Sequence, residues 1–182
     1  MFSAERYTAR AIIVKTMAAD TNLSVNQIEV GLAHYFNYRN NIIVPNVSWG
    51  LLPYEADLLV LNKSGYVTEV EIKRSWADFL ADFRKEHKHN THIVSWRYYA
   101  VPAVIVEKCE AKLKELDPYK TWGLLSYYEY GGVVGVSTVY YPCNLNRHKA
   151  ENKLSIEEQF QLARLGAMRV WSIKTKLYEN GR

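Results

Sequence analysis

The sequence predicts an α/β fold, a mixed central β-sheet flanked by helices, in a single domain spanning residues 1–182. Two observations lead there. Short runs rich in β-branched residues alternate with longer stretches whose apolar residues recur at helical spacing. No internal repeat, low-complexity stretch or Pro/Gly/Ser linker divides the chain, and apolar residues at 48 % are enough for a core without metal or disulfide staples.

Taken in order, Ser3 to about Ala19 reads as an amphipathic helix. Ser24 followed by Gln27 is a capping-box pattern, in which each side chain bonds the other residue's otherwise free backbone N–H. A helix is therefore expected from about Val25 to Tyr38, with Ile28, Leu32 and Tyr35 or Phe36 toward the core. Ile42 to Trp49 is β-branched and reads as a strand, which Pro45 pushes toward a sheet edge or a bulge. Two further apolar runs, 55–61 and 66–73, flank Asn62-Lys63-Ser64-Gly65 and signal a hairpin. Ser75 with Asp78 caps a helix expected to reach about His89, burying Trp76, Phe79, Leu80 and Phe83. Arg97 to Val101 is a short strand, and Pro102 opens a helix ending near Leu116. Trp122 to Tyr141 reads as a hairpin turned at Gly131-Gly132, and Ser155 with Glu158 caps a last helix reaching about Lys176.

Composition bounds the function only loosely. A net charge of +4 tilts the chain toward anionic partners such as nucleic acid. Cys109 and Cys143 lie far apart with neither CxxC nor metal-ligand spacing, so inert thiols in a reducing cytoplasm are expected. No apolar run approaches the roughly 18 residues of a membrane span. Ala11 to Val14 is too short for the core of a signal peptide. There is no P-loop, no GxGxxG after a strand, no GxSxG and no HExxH.

The chemistry concentrates in the first hairpin. Side chains alternate along a strand, so Glu69, Glu71 and Lys73 share one face, as Glu55 and Asp57 do on the preceding strand, with Ala56 and Leu58 pointing away. A three-residue loop with Gly65 in the left-handed conformation pairs Asn62 with Tyr66, and that register sets Asp57 opposite Glu71 and Glu55 opposite Lys73. Paired side chains point the same way, with Cβ atoms about 5 Å apart. Carboxylates crowded on one face repel, and a divalent cation removes the conflict. Hard oxygen ligands of this kind suit Mg²⁺ or Mn²⁺. Lys73 is then placed to orient an attacking water or to stabilise a phosphoryl transition state. The same residues also suit a solvated polar sheet face, with Lys73 pairing Glu55 or Glu71 across strands.

At these residues the sequence resembles the PD-(D/E)xK nuclease superfamily. The likeness consists of Glu29 on an early helix, Asp57 at the start of a second strand, and Glu71-Ile72-Lys73 in a third. Within that superfamily it is most similar to the MmcB-like proteins, through Ala56 to Leu59, Glu71 to Ser75, Ala77 to Phe83 and Tyr98 to Pro102. The likeness covers about Val25 to Val106, leaving the C-terminal hairpin and helix as an extension. Ala56 stands where the superfamily's name has proline.

The resemblance implies a restriction-endonuclease-like fold with an α-β-β-β-α-β core. It further implies a Mg²⁺- or Mn²⁺-dependent deoxyribonuclease of DNA repair or of phage and mobile-element DNA processing, in a bacterial or phage-infected cytoplasm. Asp57 and Glu71 would be the metal ligands, Lys73 and Glu29 would complete the catalytic set, and Glu69 and Glu55 would stand second to them. Such nucleases commonly act as dimers or in larger assemblies, so a second copy or larger assembly is an expected partner beside DNA. Superfamily members also include inactive proteins, so a catalytically silent DNA-binding or assembly module is the alternative, and RNA is not separated from DNA as substrate.

Arg84, Lys85 and Lys88, with His87 and His89, form a basic cluster at the expected end of the helix after Lys73, and Arg74 lies beside the site. These residues suit phosphate contacts, although cations also gather at helix C-termini because they complement the dipole. Arg164, Arg169, Lys174 and Lys176 give the last helix a positive face that would extend a DNA channel or simply be solvated.

Overall fold

A computed structural model describes residues 23–48, 50–84, 91–143 and 150–181. The helix expected over Ser3 to Ala19 lies outside the described residues. From Leu23 onward the order is α1 (Val25–Tyr35), β1 (Ile42–Val47), β2 (Ala56–Leu61), β3 (Val67–Ile72), α2 (Trp76–Asp82) and β4 (Val94–Pro102). A short 3₁₀ turn at Ala103–Ile105 leads into α3 (Val106–Leu116), followed by β5 (Trp122–Tyr130), β6 (Val133–Tyr140) and α4 (Ile156–Asn180). The six strands form one mixed sheet in chain order, with β3 parallel to β4 and β4 to β5, and the remaining neighbours antiparallel. The expected order α-β-β-β-α-β therefore occurs from α1 to β4. Among the described residues no helix is long and apolar enough to cross a membrane.

Helices cover both faces, as a parallel centre requires. On one side Ile28 and Leu32 of α1 pack on Leu58, Val60, Val70, Ile72, Tyr98 and Leu125. On the other, Phe79 of α2 and Cys109 and Leu113 of α3 close over Tyr99, Val101 and Leu124. Leu162 of α4 joins Val44, Leu59, Leu61 and Val67 on that same side. Each such Leu or Ile contributes about 1.5–3 kcal/mol when fully buried.

Local chemistry explains most boundaries. Ser24 and Gln27 make the full capping box of α1, and Ser155 and Glu158 make that of α4. At α2 only one arm forms as expected: Ser75 Oγ accepts from Asp78 N at 3.1 Å, while Asp78 Oδ2 accepts from Arg74 N at 3.0 Å. α1 stops at Tyr35 rather than Tyr38 because the turn that follows carries Asn37 in the left-handed region, φ 56°. α2 also stops early, at Asp82, and the chain turns at 83–84; the rest of the stretch expected to reach His89 lies outside the described residues. β4 runs longer than expected because it is central, hydrogen-bonded on both edges. β1 is an edge strand, consistent with Pro45, and next to that proline Asn46 adopts φ 51°.

From Leu58 to Leu61 the hairpin register is the expected one. Leu58 pairs with Val70, Leu59 with Glu69, Val60 with Thr68 and Leu61 with Val67. Asn62 holds the loop, accepting at Oδ1 from Ser64 N and Tyr66 N and donating its own N–H to Tyr66 O. Gly65 closes it at φ 86°. One expectation fails nearby, since Ala56 and Leu58 do not point together. Leu58 packs under α1, whereas Ala56 packs with Leu59 on the opposite side. The cause is the left-handed residue Asn46 in the partner strand. It puts Val44 and Val47, three apart, in one cluster, and their partners Leu59 and Ala56 follow.

Gly65→Ala should cost about 1–2 kcal/mol, because a Cβ is strained at this positive φ. Gln159 Nε2 would also lie 3.3 Å from that Cβ. A fall in the urea midpoint at unchanged slope is the expected reading, and an unchanged midpoint would count against the loop geometry.

Candidate active site

The carboxyl end of β3 opens into a cavity of about 360 Å³ lined by Glu29, Asn46, Glu55, Asp57, Glu71, Lys73, Arg74 and Asp78, with Val25 and Ile72. Open α/β sheets commonly bind ligands outside the carboxyl ends of their parallel strands, and this cavity occupies such a position. Four elements meet there. Glu29 comes from α1, Asn46 from β1, Asp57 from β2 and Glu71 from β3.

Register places the central pair. The β2–β3 ladder runs as far as Leu58 and Val70, and Asp57 then turns its carboxylate onto the next backbone donor, accepting from Ile72 N at 2.8 Å. Asp57 is thereby anchored beside the Glu71-Ile72-Lys73 segment. Lys73 continues the strand's bonding by donating its N–H to Ala100 O at 2.9 Å, and its carbonyl accepts from Tyr127 OH at 3.1 Å.

The Lys73 side chain is buried, and its Nζ lies 2.9 Å from Glu71 Oε2 and 2.8 Å from Asp82 Oδ1. Burial by itself acts to lower the lysine pKa, but Glu71 and Asp82 outweigh it and hold the ammonium above its ordinary value. Lys73 is therefore a fixed cation at any physiological pH. The second oxygen of Asp82 accepts from Tyr99 OH at 2.8 Å. Burial, with the nearby Asp82 carboxylate, pushes the Tyr99 phenol far up, so it remains a donor.

Glu29 is half-buried and held by Asn46 Nδ2 at 3.2 Å. Its carboxyl is raised, first by burial and then by the negative charge of Asp57, against the lowering effects of Asn46 and Arg169. Arg169 reaches this corner from α4 by donating to Asn46 O at 2.5 Å.

The expected residues thus divide. Glu29, Asp57, Glu71, Lys73, Arg74 and Glu55 share the cavity. Glu69 does not. It is fully buried behind the site, where Tyr54 OH donates to it at 2.9 Å and Arg97 lies 3.3 Å away. Alternation does put Glu69 on the Glu71 face, but it lies one rung deeper in the sheet and is enclosed there. Glu55 precedes β2 and is exposed, and Lys73 pairs with Glu71 and Asp82 instead of with Glu55. Arg74 is tied by Nη2 to Leu23 O at 3.2 Å. Arg84 is exposed after α2, while Lys85 and Lys88 lie outside the described residues, as do His87 and His89.

Asp82 and Tyr99 escaped the sequence reading. The available signal was helical phase: Asp82 sits three residues after buried Phe79, so a carboxylate falls on the inward face of α2.

The donor set fits a hydrated magnesium or manganese ion. Five acidic side chains line the cavity against Lys73 and Arg74, and Asp57 helps to raise the Glu29 carboxyl, a repulsion that a cation relieves. Among the described residues no three His, Cys, Asp or Glu are gathered into a ready metal cluster. Magnesium needs no such cage, since one or two carboxylates with waters and substrate oxygens suffice.

Comparisons with known proteins add the fold alone. No family model matches the chain, and no curated protein does. Among solved structures it is similar to a protein of unknown function, SPO1766 from Silicibacter pomeroyi, with TM-score 0.56 and 18 % identity over 88 % of this chain and 96 % of that one.

Two outcomes follow from the electrostatics. Lys73→Met should destabilise the fold by about 3–5 kcal/mol at neutral pH, because it strips a buried cation from two carboxylates, and chemical denaturation measures the loss. Glu29→Gln should do the opposite. A carboxyl raised in the folded chain binds its proton more tightly there, so it favours folding at acid pH and costs stability once the pH exceeds the raised value. The variant should therefore melt higher than the wild type at neutral pH, and the gain should vanish as the pH falls toward the ordinary glutamate value of 4.5. A pH-independent difference would contradict this account.

Proposed function

We propose that this chain is a divalent-cation-dependent deoxyribonuclease that hydrolyses DNA phosphodiester bonds. The observation that carries the reading is the gathering of Glu29, Asp57 and Glu71 with the Lys73 ammonium in one cavity. These are the residues on which the likeness to PD-(D/E)xK nucleases rests; Glu29 lies on α1, Asp57 on β2, Glu71 on β3 and Lys73 directly after β3.

Asp57 and Glu71 would hold Mg²⁺ or Mn²⁺, which when bound supplies charge neutralisation for the phosphate and a more acidic water. The chain's own groups do the rest. Lys73, fixed as a cation, stabilises negative charge gathering on a phosphate oxygen. Glu29, with its raised carboxyl, is suited to take a proton from the attacking water. Arg74 at the cavity wall is available for the phosphate next to the scissile one. A role in DNA repair or in phage and mobile-element DNA processing, in a bacterial cytoplasm, belongs to the same proposal, as does assembly with further copies.

Cleavage of single-stranded, duplex and branched DNA by wild type, Asp57→Asn and Lys73→Ala, with Mn²⁺, Mg²⁺ or EDTA, tests the reading. Cutting should require metal and fall about 10²- to 10³-fold in each variant. Asp57→Asn is the safer variant, since the amide oxygen can still accept from Ile72 N. DNA binding that ignores metal and Lys73, with no cutting of any substrate, would leave a silent binding module instead.

A further inference from the structure

We propose that Asp82 is the positioning residue for Lys73, holding the ammonium at the cavity wall whatever the cavity contains. The inference rests on the nuclease reading for its consequence in catalysis, but its geometry stands apart from that reading.

Lys73 Nζ has two anionic anchors, and they differ in kind. Glu71 lines the cavity, so its carboxylate is shared with anything that enters. Asp82 does not line it; its side chain is 1 % exposed and enclosed beneath α2. Each Asp82 oxygen has an assigned bond, Oδ1 from Lys73 Nζ and Oδ2 from Tyr99 OH, both at 2.8 Å. Tyr99 is in turn clamped between Phe79 on α2, at 5.2 Å between ring centroids, and Trp122 on β5, stacked at 4.2 Å. The hydroxyl therefore arrives from a rigid aromatic group and keys the carboxylate in one orientation. When Glu71 turns its charge toward a cation, Asp82 remains as the counter-ion that keeps Nζ in place.

A purely structural ion pair is a poor account of this arrangement. Apolar residues of similar volume would serve a core at least as well as a buried pair. The pair also sits two residues from Glu71, at the end of the strand that opens into the cavity.

The test compares wild type, Asp82→Asn and Tyr99→Phe by steady-state DNA cleavage and by the ¹H–¹⁵N resonance of the Lys73 side-chain ammonium, assigned with Lys73→Arg. A buried, ion-paired ammonium exchanges slowly enough to be seen. Asp82→Asn should lower kcat about 10- to 100-fold with KM nearly unchanged, and should broaden the ammonium resonance away. Tyr99→Phe, which keeps the aromatic packing, should move both readouts the same way by less, and it carries the test if Asp82→Asn fails to fold. A sharp ammonium resonance in Asp82→Asn overturns the proposal whether or not the wild type cleaves DNA, as does an unchanged kcat in an active enzyme. Loss of the resonance beside an inactive wild type would uphold Asp82's hold on Lys73 and strike only the nuclease reading.

Discussion

The buried ammonium of Lys73 is the interaction on which the site's architecture turns. Lys73 directly follows β3, and its ammonium pairs with Glu71 on that strand and reaches Asp82 on α2, whose other oxygen is bonded by Tyr99 of β4. One cation thus fastens a helix to the two central parallel strands where they run out. An unpaired carboxylate in such surroundings would be neutralised or expelled, so the position of α2 and the charge of the site are a single constraint. The helix is short, seven residues, and its own propensity cannot explain its place. Phe79 beneath it and the Asp82–Lys73 pair do.

The antiparallel hairpin supplies the second constraint. A loop of three residues ending in a left-handed glycine admits one register, and that register carries Asp57 to the Ile72 amide. A loop one residue longer or shorter would put Asp57 on the wrong face, however the rest of the chain folded. The capped helix α1 then brings Glu29 over the same point, and Arg169, from α4 far along the chain, braces Asn46 against it.

This division explains what could be read from the amino-acid order. Asp57, Glu71 and Lys73 were legible because they depend on short-range rules, loop length and strand pairing, while Glu29 entered only through the resemblance, the capping box fixing its helix but not its role. The fates of Glu69 and Glu55 were not, because alternation names a face but gives no depth along it. Glu69 meets Tyr54 and Arg97, which arrive from a loop and from a strand reached by a crossover. Asp82 and Tyr99 were missed for the same reason. Their meeting depends on the parallel β3–β4 register, in which Glu71 pairs with Tyr99, and no turn chemistry announces a parallel register. The reversed packing of Ala56 and Leu58 traces to Asn46, whose left-handed backbone is an individual exception that alternation cannot anticipate.

The site is also built against the protein's own stability. Its cavity collects five acidic side chains around two cations, and the Glu29 carboxyl is raised there, first by burial and then by the charge of Asp57. Folding alone would favour amides or apolar residues at these positions, as it would at Lys73 and Asp82. Strain of this kind persists where the surrounding structure overdetermines it, and here it is overdetermined: Ile72 N fixes Asp57, Asn46 fixes Glu29 and Tyr99 fixes Asp82. Asp57, Glu29 and Asp82 are thus each held by a group whose position is set by backbone or packing. That pairing of electrostatic cost with rigid support distinguishes this corner from an ordinary polar sheet face, where solvated side chains need no such bracing.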